Sequence, residues 1–219
     1  MKNIKNWVFD LDNTLYPAKV DLFSQVDFKM GAYIEKMFDV SYAEAKKRQK
    51  HFFKKHGTTL RGLMTEHGIE PQEYLNFVHD IDFTVLKPDE ALNLAIRNLP
   101  GEKFIYTNAS TEYAQKVLSQ IGLKDTFRDF FDIHDASFLP KPDIRSYHKM
   151  IDKFAIDPVK SVMIEDIAGN LNPAAEIGMT TVWVPTDTLW SENAYREENV
   201  DYIAPELSVW LKNVISNGE

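Results

Sequence analysis

The stretch Trp7-Val8-Phe9-Asp10-Leu11-Asp12-Asn13-Thr14-Leu15 sets two carboxylates two residues apart where an apolar strand is ending. Positions i and i+2 of a strand share a face, so an uninterrupted strand would crowd the charges of Asp10 and Asp12 together. A break at Asp12, with Asn13 and Thr14 making the turn, instead aims both acids into the crevice beyond the strand's carboxyl end. Open α/β sheets bind ligands there.

Working outward from that strand, read as residues 4 to 10, the pattern from about residue 20 to 87 is helical. Leu22, Val26, Met30, Tyr33 and Met37 recur at three and four, and Ser41 with Glu44 has the form of a capping box opening a second helix that Gly57 closes. Two shorter helical pieces follow, one ended by Gly68 and one begun near Pro71. From residue 88 onward, helices alternate with short apolar strands. Pro88 opens a helix that stops before Pro100-Gly101, residues 103–106 form a strand, and Glu112 to Gln120 is a helix closed by Gly122. The pattern repeats with a strand near Phe131-Asp132-Ile133, a helix from Pro142 to Phe154 and a strand at 161–164. A helix to Glu176, closed by Gly178, and a strand at 181–184 complete it. Strands separated by such helices imply parallel βαβ units. The expected fold is α/β, a doubly wound, Rossmann-like and mostly parallel sheet. Residues 1–18 and 88–219 would form this catalytic core, with residues 19–87 a small all-helical cap inserted after the first strand.

Composition narrows the function classes. With 219 residues, 44% of them hydrophobic, the chain is long enough for a substantial core. The absence of cysteine excludes a disulfide framework, thiol chemistry and cysteine-ligated clusters, and makes a cytoplasmic setting the simpler expectation. The first strand follows Met1 so closely that a signal peptide is not expected, nor is a membrane span, since no apolar run approaches spanning length. A net charge of -8 argues against a nucleic-acid partner, which needs a basic stripe, but allows small anions held by a local lysine and backbone amides.

The polar residues at the strand ends form a set: Asp10 and Asp12, then Thr107-Asn108, then Lys141 before Pro142, then Glu165-Asp166. In this order they resemble the haloacid dehalogenase-like (HAD) hydrolase superfamily, over nearly the whole chain. Phe9 to Pro17, with Glu165-Asp166-Ile167-Ala168-Gly169-Asn170-Leu171, is most similar to the pyrimidine 5′-nucleotidase branch, as are Gly57 to Leu63 and His79-Asp80-Ile81-Asp82.

The resemblance implies a phosphomonoesterase. Asp10 would attack phosphorus to form an aspartyl-phosphate that water then hydrolyses, and Asp12 would protonate the leaving oxygen and later deprotonate that water. An acidic nucleophile approaching a phosphate dianion demands a cation, and Mg²⁺ suits oxygen ligands of this kind. Asp10, the backbone carbonyl of Asp12 and Asp166 would hold it, with Glu165 a further ligand or an acceptor behind one. Thr107, the Asn108 amide and Lys141 would grip the phosphoryl oxygens. The implied substrate is a small phosphorylated metabolite, a pyrimidine nucleoside 5′-monophosphate by preference, turned over by a monomer or homodimer.

Each feature has a plainer reading. Asp-x-Asp alone makes turns, Lys-Pro alone is a solvated lysine before a helix, Glu-Asp alone is an exposed loop, and Thr107-Asn108 alone caps a helix. The six histidines show no ligand spacing. In the cap, Phe23, Phe28, Tyr33, Phe38, Phe52 and Phe53 stand at helical spacing and read as packing. Thr58, Thr59 and Arg61, beside a glycine, read as polar contacts to the leaving group. A phosphosugar phosphatase or phosphomutase shares all four motifs, a haloacid dehalogenase lacks the second aspartate, and an idle interaction module has no reason to keep every charge. Asp12 is the discriminating residue.

Overall fold

Buried on both faces, Trp7, Val8 and Phe9 cannot sit anywhere but the middle of a sheet. The computed structural model, which describes residues 1, 3–188 and 190–217, places them there. The sheet comprises β1 (Asn6–Phe9), β2 (Glu102–Tyr106), β3 (Asp129–Phe131), β4 (Ser161–Glu165), β5 (Thr180–Trp183) and β6 (Tyr202–Ile203). Their order is β3-β2-β1-β4-β5-β6, with every pairing parallel. Phe9 lies opposite Ile105 on one side and Ile164 on the other. Successive strands add outward through β2 and β3, then the chain returns to the far side of β1 and adds β4 to β6. The carboxyl ends of β1 and β4 therefore flank the reversal, where a doubly wound sheet opens its crevice.

Alternation along the strands separates two apolar layers. Trp7, Phe9, Ile105, Val162 and Ile164 pack with α5 (Glu90–Asn98), α6 (Thr111–Gln120) and α9 (Leu207–Asn217). Val8, Phe104, Tyr106 and Met163 pack with α7 (Ile144–Phe154) and α8 (Leu171–Glu176). Between β1 and α5 stand α1 (Leu22–Phe38), α2 (Tyr42–His56), α3 (Thr59–His67) and α4 (Pro71–Val78). Val26, Ile34, Phe52, Leu63 and Tyr74 bury their apolar stripes in the first of these layers.

The element order follows the sequence reading, while several ends move for local reasons. The first strand is 6–9 rather than 4–10, because the amides of Thr14 and Leu15 fold back onto the Leu11 carbonyl at 3.4 and 3.0 Å. Asn13, at φ +62°, makes the turn. The helix expected from Pro142 starts at Ile144, where Asp143 caps the Arg145 amide at 3.1 Å. The helix expected from Pro88 starts at Glu90, with Asp89 accepting the Ala91 and Leu92 amides, each at 3.0 Å. The third strand ends at Phe131 instead of continuing to Ile133, since the Asp132 carboxylate takes the His134 and Asp135 amides at 2.9 and 3.0 Å. Ser41 caps α2 as the spacing predicts, accepting the Glu44 amide at 3.4 Å. Strand β6 and helix α9 lie beyond the pattern read from sequence.

Candidate active site

The end of β1 delivers Asp10, whose amide still pairs with the Ile164 carbonyl at 2.9 Å. The end of β4 delivers Glu165 and Asp166 beside it. Ligand oxygens of Asp10, Glu165 and Asp166 lie within 4.8 Å of one another, all buried. Lys141 reaches into this cluster from the loop before α7 and is only 3% exposed. Its Nζ donates to Asp10 Oδ1 at 2.5 Å, Glu165 Oε2 at 2.6 Å and the Tyr106 carbonyl at 3.1 Å.

The charges do not balance. Burial, helped by the Glu165 charge and opposed by Lys141, pushes the Asp10 carboxyl up to about 7. Burial and the charges of Glu165 and Asp10 push Asp166 well above the ordinary carboxylate range. Burial alone would lower the Lys141 ammonium, but Asp10 and Glu165 outweigh it and hold its proton firmly. Three carboxylates thus face one ammonium, and Asp166 Oδ2 is buried without a hydrogen-bond partner among the described residues. A buried oxygen of this kind costs about 1–3 kcal/mol or more when unsatisfied. Excess negative charge and an unmatched carboxylate oxygen fit an oxygen-seeking divalent cation.

Both Glu165 oxygens are engaged, Oε2 by Lys141 and Oε1 by the Ile167 amide at 3.2 Å. The acidic loop is pinned from behind, with the Asp166 carbonyl accepting from Trp183 Nε1 and Ser191 Oγ, each at 2.9 Å.

The loop after β2 supplies Thr107, whose amide has no proton left to donate to a ligand because it donates to the Phe131 carbonyl at 3.0 Å. Its Oγ1 accepts the Ala109 amide at 3.0 Å, which leaves the hydroxyl proton to donate. Asn108 does more than offer an amide. Its Oδ1 accepts the Lys141 amide at 2.8 Å and its Nδ2 meets the Lys141 carbonyl at 3.5 Å, tying this loop to the lysine's own. Ser110 rather than Thr107 or Asn108 caps α6, accepting the Tyr113 amide at 3.3 Å.

Asp12 makes no hydrogen bond to Lys141 and is not among the three clustered carboxylates, though its charge is felt by Asp10. Its Oδ1 accepts two phenols, Tyr16 at 2.5 Å and Tyr113 at 2.7 Å. The Tyr113 ring is in turn stacked on His79, 4.3 Å between centroids. The sequence reading assigned no site role to Tyr16, Tyr113 or His79, although Tyr16 and His79 stand in runs that carry the family resemblance. Tyr16 had a signal, standing one helical turn beyond Asp12, whereas Tyr113 is 101 residues away.

Of the three residues singled out in the helical segment 19–87, Arg61 lines a cleft of about 360 Å³ with Gly57, Pro140, Lys141 and Asp143. Thr58 spends its hydroxyl as the cap of α3, accepting the Arg61 amide at 3.1 Å, and Thr59 is buried. The structure brings Arg61 toward Lys141, while Thr58 caps α3 and Thr59 is buried. Among the aromatics of that segment Phe52 is buried and Tyr33 packs edge-on against Tyr74, 5.0 Å between centroids, while Phe28 and Phe53 are exposed. Among the described residues no histidine joins a metal-ligating group, and His56 pairs with Glu66 at 2.7 Å instead.

Residues 4–178 match the family described as haloacid dehalogenase-like hydrolase. The chain belongs to the haloacid dehalogenase-like hydrolases. Solved HAD structures share its fold at low identity. A HAD phosphatase from Thermococcus onnurineus aligns with a TM-score of 0.63 at 18% identity, covering 99% of both chains. The HAD-hydrolase YfnB from Bacillus subtilis, bound to magnesium, aligns at 0.61 and 16%, covering 96% of this chain and 98% of that one. L-2-haloacid dehalogenase from Xanthobacter autotrophicus aligns at 0.60 and 16%, covering 97% of this chain and 99% of that one. This HAD hydrolase therefore has both phosphatases and dehalogenases among its structural neighbours. Among its described residues no helix is long and apolar enough to cross a membrane.

Proposed function

We propose that this HAD hydrolase is a Mg²⁺-dependent phosphomonoesterase acting through an aspartyl-phosphate on Asp10. The observation that carries the reading is Asp12, a second carboxylate two residues after the nucleophile, anchored by two phenols. Halide displacement needs no such acid, because halide leaves without a proton. A phosphate ester's leaving alkoxide needs one.

Lys141 occupies Asp10 Oδ1, leaving the other oxygen to form the bond to phosphorus. As the ester bond breaks, Asp12 passes its proton to the leaving oxygen. Asp12 then takes a proton from water as that water attacks phosphorus, the Asp10–phosphorus bond breaks and phosphate departs. Thr107 donates its hydroxyl to a phosphoryl oxygen, and Lys141 offsets the charge gathering on the group. Asp10, the backbone carbonyl of Asp12 and the unpartnered oxygen of Asp166 would hold the metal, with Glu165 orienting Lys141 behind them. Bound there, Mg²⁺ supplies the positive charge that lets the two anions meet. The magnesium-bound neighbour supports this reading.

The helical segment 19–87 acts as the cap that selects the leaving group. Its Arg61, beside the Gly57 turn on the cleft leading to Lys141, and the resemblance of that run support a pyrimidine nucleoside 5′-monophosphate. The absence of cysteine favours a cytoplasmic setting. The test is phosphate release with and without Mg²⁺, first from p-nitrophenyl phosphate and then from a panel of nucleoside and sugar monophosphates. Asp10→Asn is expected to abolish Mg²⁺-dependent release while the protein stays folded, and full retained activity overturns the mechanism. A marked preference for sugar phosphates overturns the substrate class alone.

A further inference from the structure

We infer that Tyr16 and Tyr113 are positioning residues that fix Asp12 so that only its Oδ2 carries the proton during catalysis. This rests on the phosphomonoesterase reading above and deepens it.

Both phenols donate to the same oxygen, Asp12 Oδ1, at 2.5 and 2.7 Å. No described residue donates to Oδ2 through any hydrogen bond of the structure. A carboxyl oxygen offers two lone pairs, and a phenol remains a proton donor throughout the neutral range. The two tyrosines therefore fill the acceptor capacity of Oδ1, and a proton could settle there only by displacing one of them. On Oδ2 a proton costs neither bond, since Oδ1 remains a carbonyl acceptor when its partner oxygen is protonated. The arrangement serves both halves of the reaction. Oδ2–H gives its proton to the leaving oxygen as the ester bond breaks, the resulting carboxylate keeps both phenols, and Oδ2 later takes a proton from the attacking water.

The phenols are held from different parts of the chain. Tyr16 sits four residues past Asp12 on the turn that ends β1 and is 4% exposed. Tyr113 comes from the first turn of α6 and is 2% exposed. Its ring packs against His79, stacked at 4.3 Å and 28°, and against Phe83 at 5.7 Å. The His79 ring also meets Ser110, the α6 cap, through Nδ1 at 3.4 Å. With its ring clamped this way, the Tyr113 hydroxyl has little freedom to leave Oδ1. Neither phenol touches Asp10, Lys141 or the acidic pair through a hydrogen bond, so their action on the reaction runs through Asp12.

The experiment is a leaving-group series on Tyr16→Phe, Tyr113→Phe, Asp12→Asn and the two Tyr variants in the Asp12→Asn background. Substrates run from 2,4-dinitrophenyl phosphate, whose leaving group needs no proton, to ethyl phosphate, whose leaving group does. Each phenylalanine variant is expected to lose at least about tenfold more kcat on ethyl phosphate than on the dinitrophenyl ester, with KM little changed, since general acid catalysis is worth about 10²–10⁴-fold. In the Asp12→Asn background the same substitutions are expected to change ethyl phosphate turnover by less than about twofold. Losses equal across the series mean a structural role, and losses that persist without Asp12 mean a route that bypasses it; either overturns the inference. The two phenols come from separate elements, so one folded variant, checked by thermal unfolding, is enough. Failure of the wild-type protein to release phosphate from any ester would instead count against the phosphomonoesterase reading itself.

Discussion

His79 shows how one side chain ties function to stability. It is partly buried against Tyr113, and burial first, then the charges of Lys116 and His134, lower its imidazole from 6.5 to about 4. Between those values the unfolded chain binds a proton that the folded chain refuses. Stability from this group is therefore complete above about pH 6.5 and declines as the pH falls toward 4. At about 1.4 kcal/mol per pH unit the loss is at most about 3.5 kcal/mol, less what water at the exposed edge of the ring returns. His79→Phe, which keeps a stacking ring and removes the titration, is expected to flatten the urea-unfolding free energy across this window relative to wild type. Parallel pH profiles for the two proteins would show that the ring is protonated freely in the fold. The stacking and the shifted imidazole were not legible in the sequence, where His79 opened a run that carried the family resemblance but was one of six histidines without ligand spacing. Asp10, Asp12, Lys141, Glu165 and Asp166 were legible because charged residues at the ends of apolar strands need a reason to be there. Tyr113 was hidden because a tyrosine on the buried stripe of a helix reads as packing, and the carboxylate it serves is 101 residues earlier.

At the scale of elements, the acidic loop after β4 depends on a close backbone approach. A Cβ on Gly169 would lie 2.4 Å from the Asn193 carbonyl oxygen and 3.0 Å from the Ala194 Cβ. The segment around Ser191 is held against this loop by the Ala168 amide, which donates to the Ser191 carbonyl at 2.8 Å, and by the Ser191 hydroxyl on the Asp166 carbonyl. Gly169→Ala must push the two backbones apart. It is expected to cost about 1–3 kcal/mol in urea unfolding, the usual range for overpacking. Because the same contacts pin the Asp166 backbone, Mg²⁺ affinity by calorimetry is expected to fall with it. Unchanged stability and unchanged affinity would mean that the 190s segment yields freely and does not set the loop. The alternation of strands and helices was readable from period alone, since each strand is a short apolar run between amphipathic helices. Strand ends were less readable, because side chains such as Asp132 and Asp143 capture backbone amides and stop or start an element at a point no periodicity marks. Strand β6 is two exposed residues long, too short to leave a pattern.

Across the whole molecule, the strand ends carry the proposed chemistry, and Gly57 and Arg61 of the helical segment line a cleft with Lys141 and Asp143. The relation between the two was not readable, because it rests on contacts between residues far apart in the chain, such as Phe23 with Trp190 and Arg61 with Asp143. The Arg61–Asp143 pair is long at 3.4 Å, with both side chains partly exposed, and Asp143 keeps a second partner in Arg145 at 2.6 Å. Removing the Arg61 guanidinium therefore leaves no buried charge alone, and Arg61→Ala is expected to change unfolding free energy by less than about 1 kcal/mol. Its effect on turnover should be larger and of one kind. Arg61 lines the cleft that leads to Lys141 but makes no hydrogen bond to the groups proposed to attack, protonate or hold a phosphoryl group. A contact made equally in ground and transition states raises KM and spares kcat when it is lost. A charge-assisted hydrogen bond of about 1.5–3 kcal/mol corresponds to a rise in KM of about tenfold to a hundredfold for a nucleoside monophosphate. The p-nitrophenyl ester, which lacks a sugar and a base, is the control. If its KM rises as much, Arg61 acts on the phosphate and the helical segment does not choose the leaving group at this position; if it stays put while the nucleotide's rises, the leaving group is read here.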